Sequence, residues 1–266
     1  LHLSLRRQRQ MCIRDRNYVI MRDPLSSTIK TIQPSGIRKF FDLVVEMNDP
    51  NVISLGVGEP DFDTPWHVRS EGIRSLEKGR TFYTSNSGLI ELRQEICKWY
   101  QRKYNVLYDY KTEALLTVGG SEGIDVALRA MLDPGDEVII PEPCYVSYVP
   151  CVQLIGAVPV TIELKNENQF RLTPEELIAA ITDKTKILIL AFPSNPTGAV
   201  MTKEDLEPIA KICQEKDIYV ISDEIYSELT YGGQKHCSIS SLPGMKERTI
   251  VINGFLSLIH ISEPTR

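Results

Sequence analysis

The sequence has 266 residues, room for one large domain or for a domain with part of a second. Its 42% hydrophobic and 24% charged residues suit a globular chain, and a net charge of -5 offers no attraction for nucleic acid or an anionic membrane. No apolar run approaches the roughly 20 residues that cross a bilayer.

In chain order, the first sixteen residues are arginine-rich, lack helical or strand periodicity, and lack the apolar centre of a signal peptide. They read as translated adapter sequence rather than native protein. The last eleven, 256–266, break an otherwise regular pattern and read the same way. Residues 17–60 form an N-terminal arm with a portion of a small domain: a polar stretch with Pro24 and Pro34, then an apolar-periodic run from Ile37 to Met47. The main domain is expected over 61–255.

Helical spacing of apolar residues predicts helices over 66–78 and 89–104. Beyond them the chain alternates. Apolar runs at Leu115–Val118, Glu137–Ile140, Val158–Ile162, Ile187–Phe192, Tyr219–Ser222 and Thr249–Ile252 predict strands, with helices at 121–132, 174–181 and 203–216. Thr173 and Thr202, each followed by acids, mark two helix starts. Alternation of this kind predicts an α/β fold, a mostly parallel sheet with helices on both faces.

The cysteines (Cys12, Cys97, Cys144, Cys151, Cys213 and Cys237) form no CxxC pair and are too sparse for a disulfide-stapled secreted domain. Reduced thiols in a cytoplasmic protein are the expectation. The histidines (His2, His67, His236 and His260) are scattered and lend no support to a metal site.

Three segments carry chemistry. In Thr117-Val118-Gly119-Gly120-Ser121-Glu122-Gly123, a predicted strand turns through two glycines into a helix, and such a junction points backbone N–H groups and the helix dipole at an anion. Ser121 adds a hydroxyl, so phosphate suits it, although tight turns also use glycine without any ligand. The run matches neither GxGxxG nor GxxxxGK[ST], which disfavours dinucleotides and nucleoside triphosphates. Ser194-Asn195-Pro196-Thr197-Gly198 follows a predicted strand and offers the Asn195 amide; a plain Asn-Pro turn is the alternative. Asp223, ending Tyr219–Ser222, is placed to hold a cationic ring nitrogen, with the Tyr226 phenol one helical turn later; acidic capping of a helix explains the same residues. Taken together, a phosphate cradle, an amide, a carboxylate and a phenol suit one phosphorylated pyridine.

Ile53-Ser54-Leu55-Gly56-Val57-Gly58-Glu59-Pro60-Asp61-Phe62, Tyr83–Gly88 with Glu91-Leu92-Arg93, Val118–Glu122, Pro134–Val138, Asn195–Gly198, Asp223–Tyr226 and Asn253-Gly254-Phe255 follow one another in an order that resembles class I aminotransferases of the fold-type I, pyridoxal-phosphate-dependent enzymes. The resemblance spans roughly 21–255. It implies pyridoxal 5′-phosphate held at its phosphate by Gly120, Ser121 and Glu122, stacked by Tyr145, hydrogen-bonded at its phenolic oxygen by Asn195 and Tyr226, and paired at its ring nitrogen with Asp223. Gly58 and Asn195 would meet the substrate carboxylate, and Tyr83 would reach the phosphate of a second subunit, which implies a homodimer. The reaction implied is transfer of an amino group from an L-amino acid to a 2-oxo acid, with a lysine as covalent anchor and proton shuttle.

The lysine is where the sequence departs from the resemblance. After Asn-Gly-Phe the pattern calls for Ser-Lys, and these positions hold Leu256 and Ser257; Arg266 is one residue out of register for a later arginine. The chain as written is therefore expected to be inactive, and the family's C-terminal small domain is missing. Two further possibilities share these loops: a lyase of the same fold type, such as a C–S lyase, and a non-catalytic module that binds the cofactor.

Overall fold

The computed structural model describes residues 23–32, 42–43, 46–47, 53 and 63–255. Both predicted tails, most of the predicted arm, Gly58, Leu256, Ser257 and Arg266 lie outside the described residues. The chain divides into two units, 1–33 and 34–266. In the first, helix α1 (Ser27–Thr31) is capped by the Ser26 side chain, which accepts from the Ile29 N–H.

The second unit includes helical residues at 42–43 and 46–47, then α2 (Trp66–Glu77) and α3 (Ile90–Tyr104). Helix α3 ends at Asn105, whose φ of 57° is the left-handed conformation that asparagine tolerates better than most residues. From there the order is α4 (Gly120–Met131), β1 (Glu137–Glu142), α5 (Tyr148–Ile155), β2 (Val158–Glu163), α6 (Pro174–Ala180), β3 (Thr185–Ala191), α7 (Lys203–Glu215), β4 (Tyr219–Asp223) and β5 (Thr249–Ile252). Helices α6 and α7 begin as their sequences predict. Thr173 and Thr202 each accept from the N–H three residues on, and Glu176 and Asp205 return the bond to the threonine N–H.

The strands form one sheet in the order β2-β1-β3-β4-β5, every pairing parallel. Alternate strand residues feed two separate cores. Ile139, Leu188, Leu190 and Val220 pack with Leu177 of α6 and Leu206, Ile209 and Cys213 of α7. Val138, Ile140, Ile187, Ile189, Ile221 and Ile252 pack with Ile124 and Leu128 of α4 and Tyr148 and Val152 of α5. The sheet is thus covered on both faces, as the alternation implies.

Two expectations are corrected. Leu115–Val118 is not a strand: Leu116 N donates to Ser87 O, a loop contact, and Leu115 and Val118 are 55% and 92% exposed. An apolar run makes a strand only beside a ladder partner, and none lies next to it among the described residues. Helix α5 was not anticipated, because Pro150 and Gly156 hide eight helical residues among turn signals. Gly156 (φ 84°) ends it in the left-handed conformation, where a Cβ would lie 3.4 Å from Pro134. Among the described residues no helix is long and apolar enough to cross a membrane.

Candidate functional site

The chain leaves β1 toward β2 on one side and returns to place β3 on the other, so the loops after β1 and β3 part company at the carboxyl ends of adjacent strands. Crevices at such reversals are where open α/β sheets bind ligands. The loop after β1 carries Tyr145, the loop after β3 carries Asn195, and β4, next to β3, ends at Asp223.

Asp223 is the most constrained group in this region. Its Cα pairs with Ala191 and Ile252 on the two flanking strands, and the residue is only 8% exposed. Oδ2 accepts from the Tyr148 hydroxyl at 2.7 Å, and Oδ1 accepts from the Ile225 N–H at 3.1 Å. Among the described residues no lysine, arginine or histidine forms an ion pair with it. Burial pushes its carboxyl above the usual range, the Tyr148 and Ile225 hydrogen bonds pull it back, and the charge on Glu224 adds to the rise.

The neighbouring Glu224, fully buried, belongs to a different environment. Its Oε1 accepts from Ser222 and Ser238 hydroxyls at 3.0 and 2.6 Å, and Oε2 lies 3.2 Å from His236 Nε2. A cavity of about 10 Å³ adjoins this cluster, lined in part by Ser222, His236 and Cys237. It has room for one water and none for a cofactor, so the crevice rather than this cavity is the candidate site.

Tyr226 follows β4 in a turn, not one helical turn into a helix: Ser227 N donates to Glu224 O and Leu229 N to Tyr226 O, each at 2.9 Å. The two closures confine the segment to a turn, so helix capping no longer explains Asp223. Across from it, the Asn195 loop is closed by Gly198 N to Ser194 O at 2.8 Å and Ser194 N to Ala199 O at 2.9 Å. The Asn195 side chain and the Tyr226 hydroxyl have no hydrogen bond within the described residues and are half-buried.

Helix α4 begins at the glycine turn expected to bind an anion. Gly119 has φ 86° and ψ 163°, a conformation essentially confined to glycine, and it turns the chain directly into the helix. Gly123 N makes the first bond back, to Gly119 O, so the N–H groups of Gly120, Ser121 and Glu122 have no acceptor among the described residues. The Glu122 carboxylate folds away from them to accept from the Val118 N–H. Gly120 sits against Ile252, where a Cβ would be 3.4 Å from that side chain. Ile252 is the strand neighbour of Asp223, which sets the helix start one strand from the carboxylate.

Tyr145 is 37% exposed, its ring 5.9 Å from that of Tyr148 and edge-on to it. The adjacent Cys144 thiol is pushed up to about 11 by burial and the Glu142 charge, so it stays protonated and is a poor nucleophile. Tyr83 is fully exposed and touches none of these groups within the chain. The structure therefore links Tyr145 through Tyr148 to Asp223 and sets the Gly120–Glu122 helix start against Ile252, the strand neighbour of Asp223; Asn195 and Tyr226 lie in the segments after β3 and β4, Tyr83 stands apart, and Gly58 and Ser257 lie outside the described residues. Tyr148 was missed by sequence reasoning. Its one sequence signal is its place three residues after Tyr145, at a helix start that the pattern concealed.

The profile of the family described as aminotransferase class I and II matches residues 50–255. A putative aminotransferase of Bacillus subtilis, YugH, is 50% identical over 231 residues, which is 87% of this chain and 59% of that protein. The aromatic-amino-acid aminotransferase 2 of Thermococcus litoralis is 45% identical over the same shares. Among solved structures, an aspartate aminotransferase from Thermus thermophilus with maleate superposes with a TM-score of 0.84 at 37% identity, covering 91% of this chain and 63% of that one. The chain thus spans about 59% of the length of the curated relatives it matches.

Proposed function

Because the chain belongs to the class I and II aminotransferase family, we propose that its crevice holds pyridoxal 5′-phosphate in the service of amino transfer from an L-amino acid to a 2-oxo acid. The observation that carries this reading is Asp223, a buried carboxylate with no protein cation beside it among the described residues. A carboxylate is costly to bury unless a cation or strong donors compensate it, and a protonated pyridine nitrogen is a cation of the right shape. The unpartnered N–H groups at α4 fit a phosphate in the same way, with no side-chain charge required.

On this reading the backbone at Gly120, Ser121 and Glu122, with the Ser121 hydroxyl, binds the phosphate. Tyr145 stacks on the ring, and Asn195 and Tyr226 donate to its phenolic oxygen. Asp223 holds the proton on the ring nitrogen. When bound, the cofactor supplies an electron sink for the substrate's α-carbon. Gly58 and Asn195 take the substrate carboxylate, and the exposed Tyr83 serves the neighbouring site of a homodimer. A cytoplasmic setting goes with the cysteine spacing.

Ser257 gives the reading a second side. A hydroxyl cannot supply the amine of a lysine, so this chain holds the cofactor reversibly and does not complete amino transfer. Equilibrium titration with pyridoxal 5′-phosphate, followed by its absorbance and by retention on gel filtration, tests the site. Saturable binding to the wild-type chain that falls at least tenfold in Asp223→Ala is the expected outcome, the loss of a charge-assisted pair being about 1.5–3 kcal/mol. No retention of the cofactor by the wild-type chain refutes the reading.

A further inference from the structure

We infer that Tyr148 is the positioning residue of this site, the group that keeps Asp223 ionised and aimed and that braces the Tyr145 ring. The inference deepens the cofactor reading and rests on it, but its geometry stands on the chain alone. Tyr148 opens helix α5 and is 2% exposed, so its hydroxyl has been taken out of water and must find a partner inside the protein. The partner is Asp223 Oδ2 at 2.7 Å, across 75 residues of sequence. At that distance, between a phenol and a carboxylate, the bond is charge-assisted and short.

The charge balance around Asp223 shows why such a donor is needed. Its strand neighbours Ala191 and Ile252 are apolar. Burial and the adjacent Glu224 both favour the protonated acid, and only the Tyr148 hydroxyl and the Ile225 N–H oppose them. The other ionisable groups that face Tyr148 are Cys144 and Tyr226, and neither is a cation. Removing the phenol leaves one backbone donor against the whole cost of desolvation. A more basic carboxylate would hold the proton itself rather than leave it on a ring nitrogen bound beside it, and so would not keep such a ring cationic.

The same side chain has a second contact. The Tyr145 and Tyr148 rings meet edge to face at 69° with centroids 5.9 Å apart, an arrangement in which each ring restricts the other. Val152 and Tyr148 are both buried in the core that α5 shares with the sheet, and Tyr148 N donates to Tyr145 O at 3.4 Å just before the helix. Tyr148→Phe keeps the ring, its packing and its contact with Tyr145, and deletes only the hydrogen bond.

Two measurements decide the matter, one of them without any ligand. In the cofactor-free chain, the carboxyl carbon of Asp223 is followed by NMR against pH. Its titration midpoint is expected to move upward in Tyr148→Phe and to stay in place in Val152→Ala, which loosens the same helix without touching the carboxylate. In the second, pyridoxamine 5′-phosphate labelled at the ring nitrogen is bound to each protein. The nitrogen-15 shift is expected to report a protonated ring with the wild-type chain and to move toward neutral pyridine with Tyr148→Phe, with affinity falling about tenfold. An unchanged Asp223 midpoint in Tyr148→Phe, or an equal change in Val152→Ala, overturns the inference. If the wild-type chain binds neither vitamer, the cofactor reading fails, while the ligand-free titration still decides whether Tyr148 controls Asp223.

Discussion

At the scale of the residue, Asp223 shows how a site is held ready at a cost to the fold. Folding raises its carboxyl above the ordinary value because burial penalises the charge more than two hydrogen bonds reward it. Between the ordinary and the raised value the folded chain keeps a proton that the unfolded chain has lost, and above the raised value the carboxyl is ionised in both, so stability falls as pH rises from the usual carboxylate range through the raised folded value. Asp223→Asn is expected to remove that loss. The cofactor-free variant should melt above wild type at neutral pH, and the gap should close in acid, where both states of the wild-type chain are protonated. Thermal unfolding at several pH values checks this; a variant that melts lower at neutral pH contradicts it. Glu224, one residue along, shows the contrast: it meets two serine hydroxyls and His236, so adjacent carboxylates differ in role through their surroundings alone.

At the scale of the element, the junction into α4 matters more than the helix itself. Glycine at 119 is required by backbone conformation, since a Cβ there would meet nothing within 4 Å. With φ at 86° and ψ at 163°, any other residue is strained by about 1–3 kcal/mol. Gly119→Ala is therefore expected to lower the urea midpoint and weaken binding of pyridoxal 5′-phosphate together, because relief of the strain rotates the free N–H groups at the helix start. Unchanged affinity with lowered stability would show that the cradle forms independently of this turn. The capping boxes of α6 and α7 work at the same scale with no part in the site: Thr173 and Thr202 fix where those helices start and leave the sheet's other face closed.

At the scale of the molecule, the parallel sheet gathers the site by topology. The residues of the crevice come from four segments, the start of α4, the loops after β1 and β3, and the end of β4 with the turn after it, and the strand-end segments lie on one side because the paired strands all run the same way and the order reverses between β1 and β3. On the proposed reading, the position where the resemblance calls for the cofactor's lysine holds Ser257. Treatment of the wild-type chain with pyridoxal 5′-phosphate and borohydride is expected to leave no cofactor fixed at position 257. Leu256→Ser with Ser257→Lys should gain a single adduct there, located by peptide mass mapping. An adduct at 257 is impossible in the wild-type chain; its absence in the double variant would place that position away from the crevice.

Fold class and most of the chemistry were legible because they are encoded locally. Short apolar runs and period-3.6 stripes identified all five ladder strands and five of the helices, and the glycines before Ser121 stand at a helix start and the acid after Ser222 at a strand end that those patterns locate. What the sequence by itself determined, then, is an α/β chain with a glycine turn at a helix start, a carboxylate at a strand end, and an amide and a phenol in the segments that follow strands. Only the tertiary structure decided that Leu115–Val118 lacks a ladder, that Tyr226 sits in a turn, that Asp223 is buried with no cation beside it among the described residues, and that the Tyr148 hydroxyl bonds to it across 75 residues. Burial and pairing depend on what the rest of the chain places nearby, and no local period carries that information.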